Sequence, residues 1–234
     1  MRGNDRLTAR PIAPAPPATA AAGAGGETAP GLQTLHLPGA RDGLLYVPAT
    51  YDPGRPVPLV VMLHGAGGDA RAGLDPFLRL ADAHGLVLVA PASRGPTWDA
   101  LLGDYGFDLA TVDRALAQAF SRFRVDPSRL AVEGFSDGAS YALSVGLANG
   151  DLFTHAIAFS PGFVAPHTPR GRPRLFVTHG KRDKVLPITS TSRRIVQRTR
   201  QDGYDVRYHE LDGGHAVPGD LAEEAVRWFL ATPR

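Results

Sequence analysis

The chain has no cysteine, and this absence excludes several kinds of chemistry. Disulfide bonds, zinc sites with thiolate ligands and a thiol nucleophile all require cysteine. No hydrophobic run approaches the roughly 20 residues of a membrane-spanning helix. The 234 residues carry a formal net charge of only +2, and their basic side chains are mostly scattered arginines rather than one basic block. This charge pattern does not indicate a nucleic-acid partner.

The N-terminal segment 1–31 differs in composition from the rest of the chain. Between residues 11 and 30 it consists mainly of alanine, proline and glycine, a composition that favours a flexible tail. Prolines interrupt the apolar stretch after Arg10, so the segment does not fit a secretory signal. We therefore expect a flexible tail over 1–31, one catalytic domain over 32–234, and a cytoplasmic rather than a secreted protein.

Residues 32–234 alternate short apolar runs with helical segments. The runs at 59–63 and 86–89 are continuously apolar, as in strands that are buried on both faces of a parallel sheet. A helical pattern follows Asp108, a suitable N-cap. We expect an α/β fold with a mostly parallel central sheet and helices on both faces. The other strand-like runs lie at 32–37, 44–47, 130–133, 156–159, 175–178 and 206–211.

The most informative stretch joins the run at 130–133 to a helical segment through Gly134-Phe135-Ser136-Asp137-Gly138. A strand, a tight turn and a helix around G-x-S-x-G form the context of a nucleophile elbow. The serine hydroxyl must be exposed on a sharp turn, so its neighbours must leave room for strand and helix to approach. The motif alone also fits a glycine-rich turn with an idle serine, so other residues must decide.

Polar residues follow three of the expected strands. Ser136 follows the strand at 130–133, Asp183 follows the one at 175–178, and His215 follows the one at 206–211. In open α/β sheets, active sites gather beyond the carboxyl ends of the strands. Asp212 also follows a strand, but it is only three residues from His215 on the same loop, so we prefer Asp183 as the acid.

These motifs resemble those of the α/β-hydrolase superfamily. Within it, the chain is similar to the small esterases of the phospholipase/carboxylesterase and polyhydroxybutyrate-depolymerase-like groups. The matching motifs are H-G-A-G-G at 64–68, G-F-S-D-G at 134–138, H-G-x-x-D at 179–183 and G-G-H at 213–215. The resemblance covers residue 32 to the C-terminus and implies the α/β-hydrolase fold, a Ser-His-Asp triad and ester substrates.

The resemblance also implies a role for each site residue. Ser136 is expected to be the nucleophile and His215 its general base, while Asp183 orients the imidazole. The backbone N–H groups of Ala66 and Asp137 are expected to form the oxyanion hole, where each donor is commonly worth about 3 kcal/mol. No metal or cofactor is expected.

The remaining aromatic and histidine candidates have structural alternatives. His64 and His179 also lie at strand ends, but each is expected to be a buried structural histidine. Trp98 and Phe163 lie in irregular, Gly- and Pro-rich surroundings and are expected to line the substrate pocket. Tyr105 fits a pocket wall and an ordinary core position equally well.

The leading functional hypothesis is a serine carboxylesterase that acts on short-chain acyl, aryl or polyester-type esters. The proline-rich interval from Ser160 to Arg174 cannot form an amphipathic lid helix, so an open cleft is expected. A serine peptidase and a thioesterase remain alternatives, because the triad does not distinguish acyl donors. A non-catalytic binding protein that retains the fold is the alternative of another class. The sequence leaves the oligomeric state open.

Overall fold

A computed structural model describes residues 5–11, 28–101, 103, 105–165 and 167–231 of the chain. Its centre is one sheet of eight strands in the order β1-β2-β4-β3-β5-β6-β7-β8. The three strands β1, β2 and β4 pair antiparallel, and the pairs from β4 through β3 to β8 are parallel. The strands are β1 (Gly31–Leu35), β2 (Gly43–Val47), β3 (Val57–Leu63), β4 (Val87–Ala90), β5 (Val125–Phe135), β6 (His155–Phe159), β7 (Arg174–Gly180) and β8 (Val206–Leu211).

The sheet confirms the predicted architecture, since each apolar run of the sequence overlaps a strand. The helices are α1 (Ala70–Leu78), α2 (Ala81–His84), α3 (Phe107–Arg122), α4 (Asp137–Ala148), α5 (Ser192–Gln201) and α6 (Gly219–Leu230), and a short 3₁₀ helix covers Asp99–Leu101. The predicted N-cap was wrong. Asp108 lies inside the first turn of α3, where its buried carboxylate accepts the backbone N–H groups of Arg94 and Asp99.

Side chains of the central strands alternate between two apolar layers. In β3, Val60 and Met62 pack on the face covered by α1 and α6, whereas Leu59 and Val61 pack on the face covered by α3, α4 and α5. Alternation along a strand places successive side chains on opposite faces, so a continuously apolar strand requires helices on both. Since both layers bury nearly all of their apolar side chains, the sheet is a rigid platform for the loops at its carboxyl edge.

Residues 5–11 do not follow the expectation of a flexible tail. Leu7 has no exposed surface and packs into the layer that contains α3 and α4. Its N–H donates to the side chain of Asn149 over 2.8 Å, and the Asn149 amide donates in turn to the carbonyl of Asp5. One buried leucine and one buried asparagine therefore hold this arm. The prediction of a flexible tail rested on the alanine- and proline-rich composition of residues 11–30, which carries no information about these two contacts. Residues 1–4 and 12–27 of the predicted tail lie outside the described residues.

The interval between β6 and β7 contains no helix within its described residues 160–165 and 167–174. No lid domain therefore covers the carboxyl edge of the sheet in the part of the chain that the structure describes.

Among the same described residues, none of the helices combines the length and the apolar character that a membrane crossing requires.

Candidate active site

Ser136 occupies a strained turn between β5 and α4. Its φ is 57° and its ψ is −118°, a conformation that non-glycine residues rarely adopt. Close backbone contacts explain the two flanking glycines. A Cβ on Gly134 would lie 2.2 Å from the carbonyl oxygen of Gly138, and one on Gly138 would lie 2.0 Å from the carbonyl oxygen of Leu63. The turn therefore has the geometry of a nucleophile elbow, with the serine side chain partly exposed.

Three side chains from different loops meet at this turn. Nε2 of His215 lies 2.9 Å from Oγ of Ser136, and Nδ1 of His215 lies 2.6 Å from Oδ2 of Asp183. Asp183 comes from the loop after β7, and His215 comes from the loop after β8. Because the carboxylate accepts, Nδ1 of His215 carries the proton and Nε2 accepts the serine O–H. This is the arrangement that activates a serine hydroxyl.

Asp183 is held as a buried carboxylate. Its Oδ1 accepts the backbone N–H groups of Val185 and Leu186 over 2.8 and 2.9 Å, and its side chain has no exposed surface. Burial alone would raise the pKa of Asp183, but the Leu186 amide, the hydrogen bond with His215 and the Val185 amide together lower it below the ordinary value. The carboxylate of Asp183 therefore stays charged at the pH values at which His215 takes up and releases a proton.

The aromatic ring of Phe135 packs against the imidazole of His215. The centroid of Phe135 lies 4.7 Å from that of His215, and the planes are tilted by 40°. Phe135 is the residue that precedes the serine on β5, so the strand that positions the hydroxyl also positions the base.

The two amides expected to form an oxyanion hole belong to the residue after the serine and to the loop 64–68, where a Cβ on Gly65 would lie 3.5 Å from Cβ of Ser136. Asp137 begins α4, where the first N–H groups have no acceptor within the helix. Within the described residues, neither this amide nor that of Ala66 donates a hydrogen bond to another protein group. The loop 64–68 is anchored to the neighbouring loop by Gly67, whose N–H donates to the Pro96 carbonyl over 2.6 Å.

Trp98 is not a wall of the substrate cleft, which corrects the expectation from sequence. It has no exposed surface, its ring stacks on Tyr141 at 4.9 Å, and its indole N–H donates to the carbonyl of His64 over 2.9 Å. A buried indole needs a partner for its N–H, and here that partner lies in the loop that carries Ala66. The irregular, glycine-rich segment that contains Trp98 suggested a pocket wall, but this segment instead covers the Trp98 ring and buries it.

The two other strand-end histidines are buried, as expected for structural residues. His64 begins the loop 64–68, and its Nε2 accepts the N–H of Ser93 over 3.1 Å. His179 makes a contact that sequence reasoning missed. Its Nε2 lies 3.2 Å from Oδ2 of Asp183 and 2.7 Å from the carbonyl oxygen of Leu186. The spacing of four residues in H-G-x-x-D was the only signal in the sequence for this contact.

A cavity of about 430 Å³ opens beside the loop 64–68. Small and apolar residues dominate its lining, among them Ala66, Phe135 and Val217. Phe163 is 43% exposed and lines a different and larger cavity of about 1010 Å³. Ser136, Asp183 and His215 line neither cavity, but Phe135, which precedes Ser136, lines the smaller one.

The other candidate acid does not reach the histidine. Asp212 is exposed and pairs with Arg182 at the surface. In the part of the chain that the structure describes, no three histidine, aspartate or glutamate side chains come together as a metal site.

The sheet order, the elbow and the position of the histidine loop define the class of protein: the chain has the α/β-hydrolase fold. No protein-family model matches the chain. Among curated proteins it is similar to the probable feruloyl esterase C of Aspergillus oryzae, with 27% identity over 162 residues, 66% of this chain and 59% of that protein. The feruloyl esterase C of Emericella nidulans is 28% identical over 156 residues, 63% of this chain and 57% of that protein. The chain thus spans less than two thirds of the length of these relatives.

Solved structures show the same fold. The esterase PE8 is 24% identical and superimposes with a TM-score of 0.64, covering 80% of this chain and 96% of that one. The acetyl xylan esterase of Aspergillus awamori is 18% identical with a TM-score of 0.65, covering 85% of this chain and 98% of that one. These two relatives and these two structural neighbours are esterases by name.

Proposed function

We propose that this protein is a serine carboxylesterase that uses Ser136, His215 and Asp183 as its catalytic triad. The observation that carries the proposal is the continuous line of hydrogen bonds from Asp183 through His215 to the strained Ser136. Strain at a non-glycine residue persists only where the surrounding structure enforces it, and here it aims a hydroxyl at the base. The names of the relatives supply independent support.

The mechanism follows from these positions. Oγ of Ser136 attacks the ester carbonyl carbon as its proton moves to Nε2 of His215. The carbonyl oxygen becomes an oxyanion that accepts hydrogen bonds from the backbone N–H groups of Ala66 and Asp137. The C–O bond to the alcohol then breaks, and the imidazolium returns its proton to the leaving oxygen. Asp183 stabilises the imidazolium throughout.

Water completes the cycle by the same route. His215 takes one proton from water as its oxygen attacks the acyl-serine, and the second tetrahedral intermediate collapses with release of the carboxylic acid. The proton on Nε2 passes to Oγ of Ser136, which restores the free hydroxyl. Each proton that leaves a nucleophile is thus returned to a leaving group.

The cavity beside Ala66 favours small acyl groups. Its volume of about 430 Å³ suits a short acyl chain or one aromatic ring, at the lower end of ligand pockets. Each further methylene of a long chain would have to remain in water and forgo about 0.8 kcal/mol of burial. We therefore propose short-chain and aryl-acyl esters, including exposed polyester ends, as the substrate class.

A panel of p-nitrophenyl esters tests the proposal, with a thioester and an aminoacyl anilide to separate the other acyl donors. The wild-type enzyme is expected to prefer butyrate to palmitate, below and above the micellar limit, with no rise in rate at that limit. Ser136→Ala is expected to retain less than about one hundredth of kcat with an unchanged circular dichroism spectrum. Equal activity of this variant would remove the nucleophile assignment, and an inactive wild-type protein would favour a binding function.

A further inference from the structure

We infer that the larger cavity is a second substrate subsite, one that takes an anionic group of the ester at a distance from the ester bond. The inference rests on the proposed esterase function. The cavity has a volume of about 1010 Å³, and it lies between the segment 162–172 and helix α5. This volume is at the upper end of the range for small-molecule sites.

The charge of the cavity lining selects an anion. Three arginines, Arg172, Arg194 and Arg198, line the cavity together with one acidic residue, Asp202. Arg198 already pairs with Asp202 at 3.0 Å. The cavity therefore keeps an excess of positive charge after its internal ion pair is counted, and a carboxylate is the complement to guanidinium groups.

Arg194 is the guanidinium that remains for a ligand. Its side chain is exposed, and among the described residues it makes no hydrogen bond or ion pair. Arg172, in contrast, donates to the carbonyl of Asp202 and lies 5.0 Å over the ring of Tyr204. Arg172 thus shapes the wall, whereas Arg194 offers its donors to the cavity.

Hydrogen bonds connect the cavity to the catalytic groups. The N–H of Gly162 donates to Oγ of Ser140 over 2.9 Å, and Ser140 donates from the next turn of α4 to the carbonyl of Ser136. On the other side, a Cβ on Gly162 would lie 3.3 Å from the side chain of Leu186, whose N–H binds Asp183. The Gly162–Phe163 edge therefore lies between the elbow and the acid loop.

Phe163 stands at this edge with an exposed aromatic ring. A ligand that leaves the serine in this direction passes an apolar ring first and meets the arginines beyond it. The order of these features predicts an ester with an apolar stem and a terminal carboxylate, rather than one with the charge next to the ester bond.

Matched p-nitrophenyl esters test the inference. One series has acyl chains of four to ten carbons that end in a carboxylate, and the other has chains of the same lengths that end in a primary amide. At low ionic strength, the kcat/KM of the carboxylate series is expected to exceed that of the amide series by at least about fivefold at one of the longer lengths. Because exposed charges are screened, the preference should shrink at high salt.

Arg194→Gln is expected to abolish the preference by lowering the kcat/KM of the carboxylate series to that of the amide series. Arg200→Gln is the matched control, since it removes one charge from the same helix outside the cavity lining. A carboxylate preference that is absent at all lengths, or equally strong in Arg194→Gln, would overturn the inference while the esterase function stands.

A binding measurement separates this inference from the failure of the proposed function. Octanedioate is titrated into the wild-type protein and into Arg194→Gln by calorimetry. Should no ester be hydrolysed, binding that depends on Arg194 still identifies an anion site, and the absence of such binding refutes it.

Discussion

Nε2 of His179 lies 3.2 Å from Oδ2 of Asp183, the same carboxylate oxygen that lies 2.6 Å from Nδ1 of His215. Nε2 of His179 also faces the carbonyl of Leu186, so it must carry a proton and donate. Burial lowers the pKa of His179 and keeps its ring neutral, with Nδ1 as an acceptor for the Ser192 hydroxyl. We therefore propose that His179 positions Asp183.

The first prediction concerns the loss of the Nε2–H donor of His179. His179→Leu leaves Oδ2 with one partner fewer, so the carboxylate can pivot away from His215, and kcat is expected to fall by about tenfold with little change in KM. In an Asp183→Asn background, the same substitution should cause almost no further loss of kcat, because the residues act through one interaction. Fully additive effects in this double-mutant cycle would mean that His179 serves only the fold.

The second prediction concerns Ala66, which is expected to act through its backbone. Ala66→Pro removes the N–H and should lower kcat by at least about 10²-fold, whereas Ala66→Ser keeps the amide and should retain activity. Thermal denaturation of both variants controls for damage to the loop. A folded proline variant with normal kcat would exclude this amide from the oxyanion hole.

The third prediction concerns the crowding at the elbow. Gly138→Ala would place a Cβ 2.0 Å from the carbonyl oxygen of Leu63, so strand β3 and helix α4 would have to separate. We expect a loss of at least about 2 kcal/mol in the free energy of unfolding, together with loss of esterase activity. Gly219→Ala is the control, because a Cβ there meets no atom within 4 Å and that helix should tolerate it.

The sequence predicted those features that depend on local pattern. Apolar runs identified the eight strands, and the residues after three of them led to Ser136, Asp183 and His215. It could not predict contacts that depend on how loops fold over one another. Trp98 looked like a cleft residue because the segment around it is rich in glycine and proline, yet the loop buries its ring against Tyr141. The contact between His179 and Asp183 likewise depends on the course of the loop after β7.

The fourth prediction concerns the N-terminal arm, residues 5–11, whose packing against the core the composition of the segment did not predict. Leu7→Ala should lower the free energy of unfolding by about 2–5 kcal/mol, since it leaves a cavity beside Asn149 in a filled layer. Arg55→Ala should cost less than about 1 kcal/mol, because its ion pair with Asp52 is largely exposed. Denaturant unfolding measures both. Equal stability of Leu7→Ala and the wild type would show that the arm does not contribute to the core.

The fifth prediction concerns Glu133, which lies three residues before the proposed nucleophile. Its carboxyl group is fully buried, and within the described residues neither of its oxygens has a hydrogen-bond partner. Its neighbours in the sheet are Met62 on β3 and Ile157 on β6. Burial therefore raises the pKa of Glu133 well above its ordinary value, and the folded protein holds the group protonated.

A raised pKa in the folded state makes stability fall as pH increases. Below the pKa of the unfolded chain, about 4.3 for glutamate, both states are protonated and the group has no effect on pH dependence. Above that pH the unfolded state loses its proton first, so the free energy of unfolding falls by about 1.4 kcal/mol per pH unit while the folded carboxyl stays protonated. Glu133→Gln is neutral at every pH and should therefore match the wild type near pH 4 and exceed its melting temperature increasingly towards pH 8. Glu224→Gln, which removes one partly exposed acid on α6, is the control for net charge. A constant difference between Glu133→Gln and the wild type from pH 4 to pH 8 would show that Glu133 does not titrate differently on folding.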